Sequence, residues 1–113
     1  MSEENAHSRE LVRALNDGFR RSFVGGLALV SAGVEDLPAE RKRAILAQVR
    51  AFAAFDEDDD PNGERDLGVV EDAGVRCLWK IDRYDREMES LSPDPADPAL
   101  TTRVLSVTLV DEY

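Results

Sequence analysis

Between Ser8 and Phe23, the residues Leu11, Val12, Leu15, Phe19 and Phe23 recur in steps of three and four, which predicts an amphipathic helix. Gly18 weakens its middle by about 1 kcal/mol relative to alanine, and Gly25-Gly26 stops it. The apolar run Leu27-Ala28-Leu29-Val30 then reads as a short buried strand. Asp36-Leu37-Pro38 opens a second helix, with Asp36 as the capping side chain, Pro38 in the first turn and Glu40 at the positive end of the dipole. Ile45, Leu46, Val49, Phe52 and Ala53 form its stripe, and the pattern ends near Phe55.

From Asp56 to Gly68 the chain is polar and rich in turn formers, and two strands follow, joined at Asp72-Ala73-Gly74. In the second of these, Val75, Cys77, Trp79 and Ile81 alternate with Arg76, Leu78, Lys80 and Asp82, so the first set faces the core. Ser92-Pro93-Asp94-Pro95-Ala96-Asp97-Pro98 is a stiff connector, because its prolines fit neither a helix nor a central strand. Thr101 to Val110, with Leu105, Val107 and Leu109 on one face, is a closing strand. The expected fold is α+β: two N-terminal helices on a small, mainly antiparallel sheet of three to four strands. Residues 1–7, which include the only histidine, His7, are expected to form a flexible N-terminus, and residues 8–113 a single domain.

Charge changes this picture more than composition does. The 113 residues carry a net charge of −10. Residues 1–50 hold eight Lys/Arg against seven Asp/Glu, a net of +1, whereas residues 51–113 hold six against seventeen, a net of −11. Direct binding of nucleic acid is disfavoured, because phosphates need clustered Lys and Arg; a basic protein surface or a metal ion is the favoured partner. One cysteine excludes an intramolecular disulfide and a multi-cysteine metal site. The longest uncharged stretch, residues 24–34, is too short to span a bilayer. The acidic start lacks the apolar run of a signal peptide, so a cytoplasmic location is expected.

Candidate chemistry concentrates in Phe55-Asp56-Glu57-Asp58-Asp59-Asp60-Pro61-Asn62-Gly63-Glu64-Arg65-Asp66. Asp58-x-Asp60-x-Asn62-Gly63 matches the first half of an EF-hand loop, so Asp58, Asp60, Asn62, Glu64 and Asp66 are the candidate ligands for calcium or another divalent cation. The twelfth position, normally a bidentate glutamate, is Val69. The bland reading is a solvated acidic loop with Asp and Asn in turn hydrogen bonds. A metal-dependent nuclease would pair Asp66 and Lys80 with an acid two residues before the lysine, and Leu78 stands there. Nucleophilic catalysis lacks a positioned base, and Cys77 reads as a small core hydrophobe. Paired carboxylates suit glycoside hydrolysis, but the chain leaves little room for a sugar cleft.

A non-enzyme is therefore expected, with Asp58, Asp59, Asp60, Glu64 and Asp66 facing a basic partner. Asp82, Tyr84 and Asp85, from Trp79-Lys80-Ile81-Asp82-Arg83-Tyr84-Asp85, form a second interaction edge. The bland alternative fills the core with Trp79 and pairs Lys80 with Asp82. Arg41-Lys42-Arg43 with Arg50 is a wet helix face, or docks on the acidic half of another copy in a homodimer.

Four motifs in order, Asp60-Pro61-x-Gly63-Glu64-x-Asp66-x-Gly68, Trp79-Lys80-Ile81-Asp82-x-Tyr84-Asp85, Ser92-Pro93-Asp94-Pro95-Ala96-Asp97-Pro98, and Arg103-Val104-Leu105 with Glu112-Tyr113, resemble an uncharacterised bacterial family, domain of unknown function 3768. The resemblance covers roughly residues 15–113 and implies a small stand-alone protein with no assigned activity. Its relatives are often encoded on mobile elements, which brings in inhibition of a host-defence nucleoprotein (anti-CRISPR or anti-restriction) as an expectation. Where the family's loop has asparagine at position 59 and histidine at 65, this chain has Asp59 and Arg65. A catalytic or ligating role for that histidine would have no counterpart here.

Overall fold

The computed structural model describes residues 3–56, 58, 60 and 63–113, with side chains from His7 onward. Helix α1 runs Glu3–Ser22, beginning five residues before the apolar pattern does. Its stripe buries Val12 and Phe19 but leaves Leu11 40% exposed, because two polar residues, Asn16 and Arg20, share the buried face. Arg20 and Arg21 fall in its last turn, where cations suit the helix dipole. Phe23 then turns left-handed, at φ 60°, with its N–H donated to the Phe19 carbonyl at 2.7 Å. That strain is held down by the Arg50 guanidinium, 4.4 Å from the ring centroid.

Strand β1, Gly26–Val30, is present but lies at the edge of the sheet, which corrects the expectation of a buried strand. It pairs only with β4, and Leu27 and Leu29 are 45% and 52% exposed on a face that no helix covers. Asp36 is a second correction. Ser31 caps a one-turn helix, α2 (Ala32–Glu35), accepting from the Val34 N–H at 3.2 Å, and Asp36 is that helix's C-cap. Being helical itself (φ −77°, ψ −7°), Asp36 cannot cap the next helix; Pro38 stands in that position without a side-chain bond.

Helix α3, Ala39–Ala51, buries Ile45 and Val49 as its spacing predicts. It stops at Ala51 rather than Phe55, since Phe52 leaves the helical region (ψ 130°). That exit lets Phe52 and Phe55 pack edge-on against Trp79, with centroids 5.4 and 6.0 Å from it and 4.9 Å from each other.

Strands β2 (Leu67–Asp72) and β3 (Val75–Tyr84) form the expected hairpin, turned by Ala73 and Gly74 at φ 49° and 85°. A 3₁₀ turn, Pro98–Leu100, ends the proline-rich connector; β4 (Thr102–Leu109) and a final 3₁₀ turn, Val110–Glu112, complete the chain. The sheet order is β1-β4-β3-β2, parallel between β1 and β4 and antiparallel elsewhere. One face carries Cys77, Trp79 and Ile81 beside Leu109, Val107 and Leu105, and packs with Phe19, Val34, Ile45 and Val49 of the helices. The other face carries Leu27, Leu29, Leu67, Val69, Leu78, Lys80 and Asp82.

Glu112 fastens the end of β4 to the start of α2. Its carboxylate accepts from Ser31 Oγ at 2.6 Å, the Leu109 N–H at 2.8 Å and the Gly33 N–H at 3.1 Å. The Ser31 hydroxyl first, then these amides, hold its pKa below the ordinary 4.5. A carboxyl whose folded value is depressed stabilises above its unfolded value and loses that contribution as pH falls through the folded one. Glu112→Gln is therefore expected to destabilise the protein at pH 7, with the difference from wild type shrinking below about pH 4.5. Urea unfolding across pH measures this.

Two glycines are expected to respond in opposite directions. A Cβ on Gly68 would lie 2.5 Å from Trp79 Nε1 and 2.7 Å from Phe52 Cζ, whereas one on Gly18, in α1, meets nothing within 4 Å. Gly68→Ala should cost about 1–3 kcal/mol through overpacking, and Gly18→Ala should gain up to about 1 kcal/mol, both read from urea midpoints.

Candidate functional site

The acidic loop is less bare than its charge suggests. Arg83, on the core face of β3, forks across it: Nη2 meets Glu64 Oε2 at 3.0 Å and Nη1 meets Asp66 Oδ2 at 2.9 Å. Asp60 turns inward, both of its oxygens accepting from the Arg65 N–H at 3.1 and 3.2 Å. Arg65 is left-handed (φ 55°) and reaches back to Asp17 Oδ2 at 2.9 Å, with its guanidinium 5.3 Å from the Phe55 ring centroid. Asp58 stands exposed, without an ion pair among the described residues. Asp59 and Asn62, expected to face a partner and a metal respectively, lie outside the described residues.

These positions bear directly on the metal reading. Where Glu64 and Asp66 converge, the charge between them is already the Arg83 guanidinium. Among the described residues, no three His, Cys, Asp or Glu side chains gather closely enough to hold an ion. The nuclease pairing is likewise divided: Asp66 is bound to Arg83, while Lys80 emerges from the opposite face and pairs with Asp82 at 3.5 Å. Cys77 is fully buried, and burial first, then the Glu112 charge, pushes its thiol up, away from the reactive thiolate.

The second expected set occupies another surface. Asp82 and Tyr84 lie on the face of β3 away from the helices, half-buried, and Lys80 Nζ is 5.9 Å from the Tyr113 ring centroid. Asp85 sits beyond the strand in a turn, its carboxylate accepting from the Glu89 N–H at 3.0 Å. The structure thus brings Asp60, Glu64 and Asp66 together beside α1 and keeps Asp82 and Tyr84 on the other side of the sheet. Arg41 and Lys42 meet acids of their own chain, Asp72 at 2.7 Å and Glu35 at 3.2 Å.

Sequence reasoning passed over a polar network under α1. Arg20 is fully buried. Its Nη1 pairs with Asp17 Oδ1 at 2.9 Å, its Nη2 donates to the Phe52 carbonyl at 3.2 Å, and its guanidinium carbon lies 5.2 and 5.4 Å from the Phe55 and Trp79 centroids. Asn16, equally buried, donates to the Glu64 carbonyl at 2.9 Å and accepts from Arg103 Nε at 2.8 Å. The signal was available: Val12, Asn16 and Arg20 are spaced by four, so any helix burying Val12 also buries the two polar residues.

The sheet has two edges, β1 and β2, and the outer side of β2 is open. The Ile81 N–H bonds to the Asp66 carbonyl at 2.8 Å, so residues 66, 68, 70 and 72 turn their backbone groups toward β3. Leu67, Val69 and Glu71 turn theirs away, and among the described residues nothing bonds them. Two grooves flank this edge. One, of about 330 Å³, lies between β2 and the Phe52–Phe55 segment, and the other, of about 300 Å³, lies over the outer face beside Val110 and Tyr113. Leu67, Val69 and Leu78 line both.

The architecture is a two-layer α+β protein, with helices on one face of a mixed four-stranded sheet. Residues 30–112 match the family model described as "Protein of unknown function (DUF3768)", and the chain belongs to that family. No curated protein and no solved structure matches it. The matched span holds β2, β3, β4 and the acidic loop, while Asn16, Asp17 and Arg20 precede it.

The network gives the acidic residues different weights in stability. Asp17→Asn, which leaves the Arg20 guanidinium buried without a counter-charge, is expected to cost about 3–5 kcal/mol. Asp58→Asn, at an exposed site, should stay within about 0.5 kcal/mol of wild type. Equilibrium urea denaturation separates the two.

Proposed function

We propose that this chain is a non-catalytic interaction protein that binds a basic protein surface along strand β2. The observation that carries the reading is the unpaired outward edge of Leu67, Val69 and Glu71, flanked on both sides by apolar grooves. Such an edge accepts a strand from a partner, main-chain bonds giving affinity and alternate side chains giving specificity. Leu67 and Val69, 44% and 43% exposed, supply the apolar contacts.

The partner's charge follows from the net −11 of residues 51–113. Asp58, Glu71 and Asp111 are exposed and carry no ion pair among the described residues. Lys/Arg-lined grooves that neutralise phosphates have the complementary chemistry. A nucleic-acid-binding protein, held off its nucleic acid by this acidic chain, is the partner class that fits. Glu64, Asp66 and Asp82 enter this reading as braces that hold the edge in shape rather than as direct contacts.

The test is affinity purification from the host on tagged protein, followed by titration of the purified partner against wild type and Val69→Lys at several salt concentrations. Affinity is expected to fall at least tenfold between low and high salt. Val69→Lys, at an exposed position, is expected to abolish binding while the melting temperature stays near that of wild type. Salt-independent affinity, or full binding by the folded variant, would reject the reading.

A further inference from the structure

Arg103 is a buried cation without an anion. It is 4% exposed on the core side of β4, and its partners are neutral: Nε donates to Asn16 Oδ1 at 2.8 Å and Nη2 to the Pro95 carbonyl at 2.6 Å. Directly across the ladder stands Arg83, which has taken both nearby carboxylates, Glu64 and Asp66, for itself. No ion pair among the described residues includes Arg103. Burial first, then the Arg83 charge, lower its pKa to about 10. A buried charge normally finds an opposite charge, and acids outnumber bases in this chain by 24 to 14.

The guanidinium is also not sealed. Among the described residues Nη1 has no partner, yet it is not a buried unsatisfied atom, so solvent reaches it. Arg103 lines a cavity of about 320 Å³ between the end of α1 and the connector before β4. Arg86, exposed and without an ion pair among the described residues, lines it too, and no Asp or Glu among those residues does. Leu15, Phe19 and Val24 form its apolar wall, and Gly18 and Gly25 keep room open, since a Cβ on either would meet nothing within 4 Å.

We propose that this cavity binds a small organic anion, whose carboxylate or phosphate oxygens are received by Arg103 Nη1 and Arg86 and whose apolar body lies against Leu15, Phe19 and Val24. The guanidinium is pre-oriented by Asn16 and Pro95, so little rotamer entropy is lost on binding. The volume is at the small end of ligand sites, suited to a single ring or short chain. Two guanidiniums in a strongly acidic molecule also select against cations at this one place. The site is independent of the β2 edge.

Benzoate and phenyl phosphate are the probes, titrated at constant ionic strength against wild type, Arg86→Ala and Gly18→Leu. Saturable amide shifts at Gly18 and Gly25 and at the Arg103 Nε–H are expected in NMR spectra, with a melting temperature raised by several degrees at saturation. The tighter of the two probes distinguishes a carboxylate ligand from a phosphate one. Arg86→Ala should weaken binding about tenfold without changing the melting temperature of the free protein. Gly18→Leu should raise that temperature while blocking the cavity, so loss of binding cannot be ascribed to unfolding. The proposal is overturned if neither probe shifts these resonances at 20 mM, if the shifts map elsewhere, or if Gly18→Leu binds like wild type.

Discussion

The buried Asp17–Arg20 pair is the constraint around which the rest of the structure is arranged. A guanidinium with no exposure needs its charge balanced, and Arg20 finds a counter-charge for Nη1 and a carbonyl for Nη2 where several segments converge, leaving Nε unbonded. Asp17 comes from the same helix, the Phe52 carbonyl from the end of α3, and the ring faces from Phe55 and Trp79. Asp17 then takes Arg65 on its other oxygen, which carries the acidic loop to α1. Helix, strand and loop are therefore registered by one charge cluster, while the apolar contacts around Trp79 supply the bulk of the burial.

That cluster changes the meaning of the net charge. Read as composition, residues 51–113 are a surplus of carboxylates awaiting a cation. In the folded chain Glu64 and Asp66 are held by Arg83, Asp72 by Arg41 and Asp82 by Lys80, and Asp60 is turned to a backbone amide. Among the described residues, the exposed acids without an ion pair include Asp58, Glu71 and Asp111, which lie on different segments of the chain. A field so distributed is diffuse rather than local. The apolar surface beside it is the β2 edge, where Leu67 and Val69 are exposed.

The elements read most accurately from sequence were those whose pattern is local. The Trp79 alternation, the Ala73-Gly74 turn and the Ile45/Val49 stripe each depend on spacing of two or of three and four, and each appears as expected. What failed depended on distant partners. Asp36 looks like a cap until Ser31 is seen to have closed its own turn first. Phe52 and Phe55 look like helix residues until Trp79 draws them out. Leu27 to Val30 looks like an interior strand because its apolarity does not reveal that it pairs only with β4. The loop carboxylates carry no local mark of Arg83, seventeen residues beyond Asp66, on a strand whose face is fixed by the core.

The same geometry explains why α1 and the family-matched span cannot be considered apart. Residues 30–112 contain Arg103, Arg83 and the acidic loop, but the group that orients Arg103 is Asn16, and the group that answers Arg65 is Asp17. Without α1, Trp79 would lose the Arg20 guanidinium and Phe19 from its surroundings, and Arg103 would face Arg83 with neither an anion nor its amide partner. The helix therefore acts as the polar lid of the sheet: its buried face supplies the hydrogen-bonding groups of Asn16, Asp17 and Arg20, whereas α3 buries Ile45 and Val49. It also leaves, between itself and the β4 connector, a cavity lined by Arg86 and Arg103 and, among the described residues, by no Asp or Glu. Under that lid Arg103 is held by an amide and a carbonyl, while across the ladder Arg83 keeps Glu64 and Asp66.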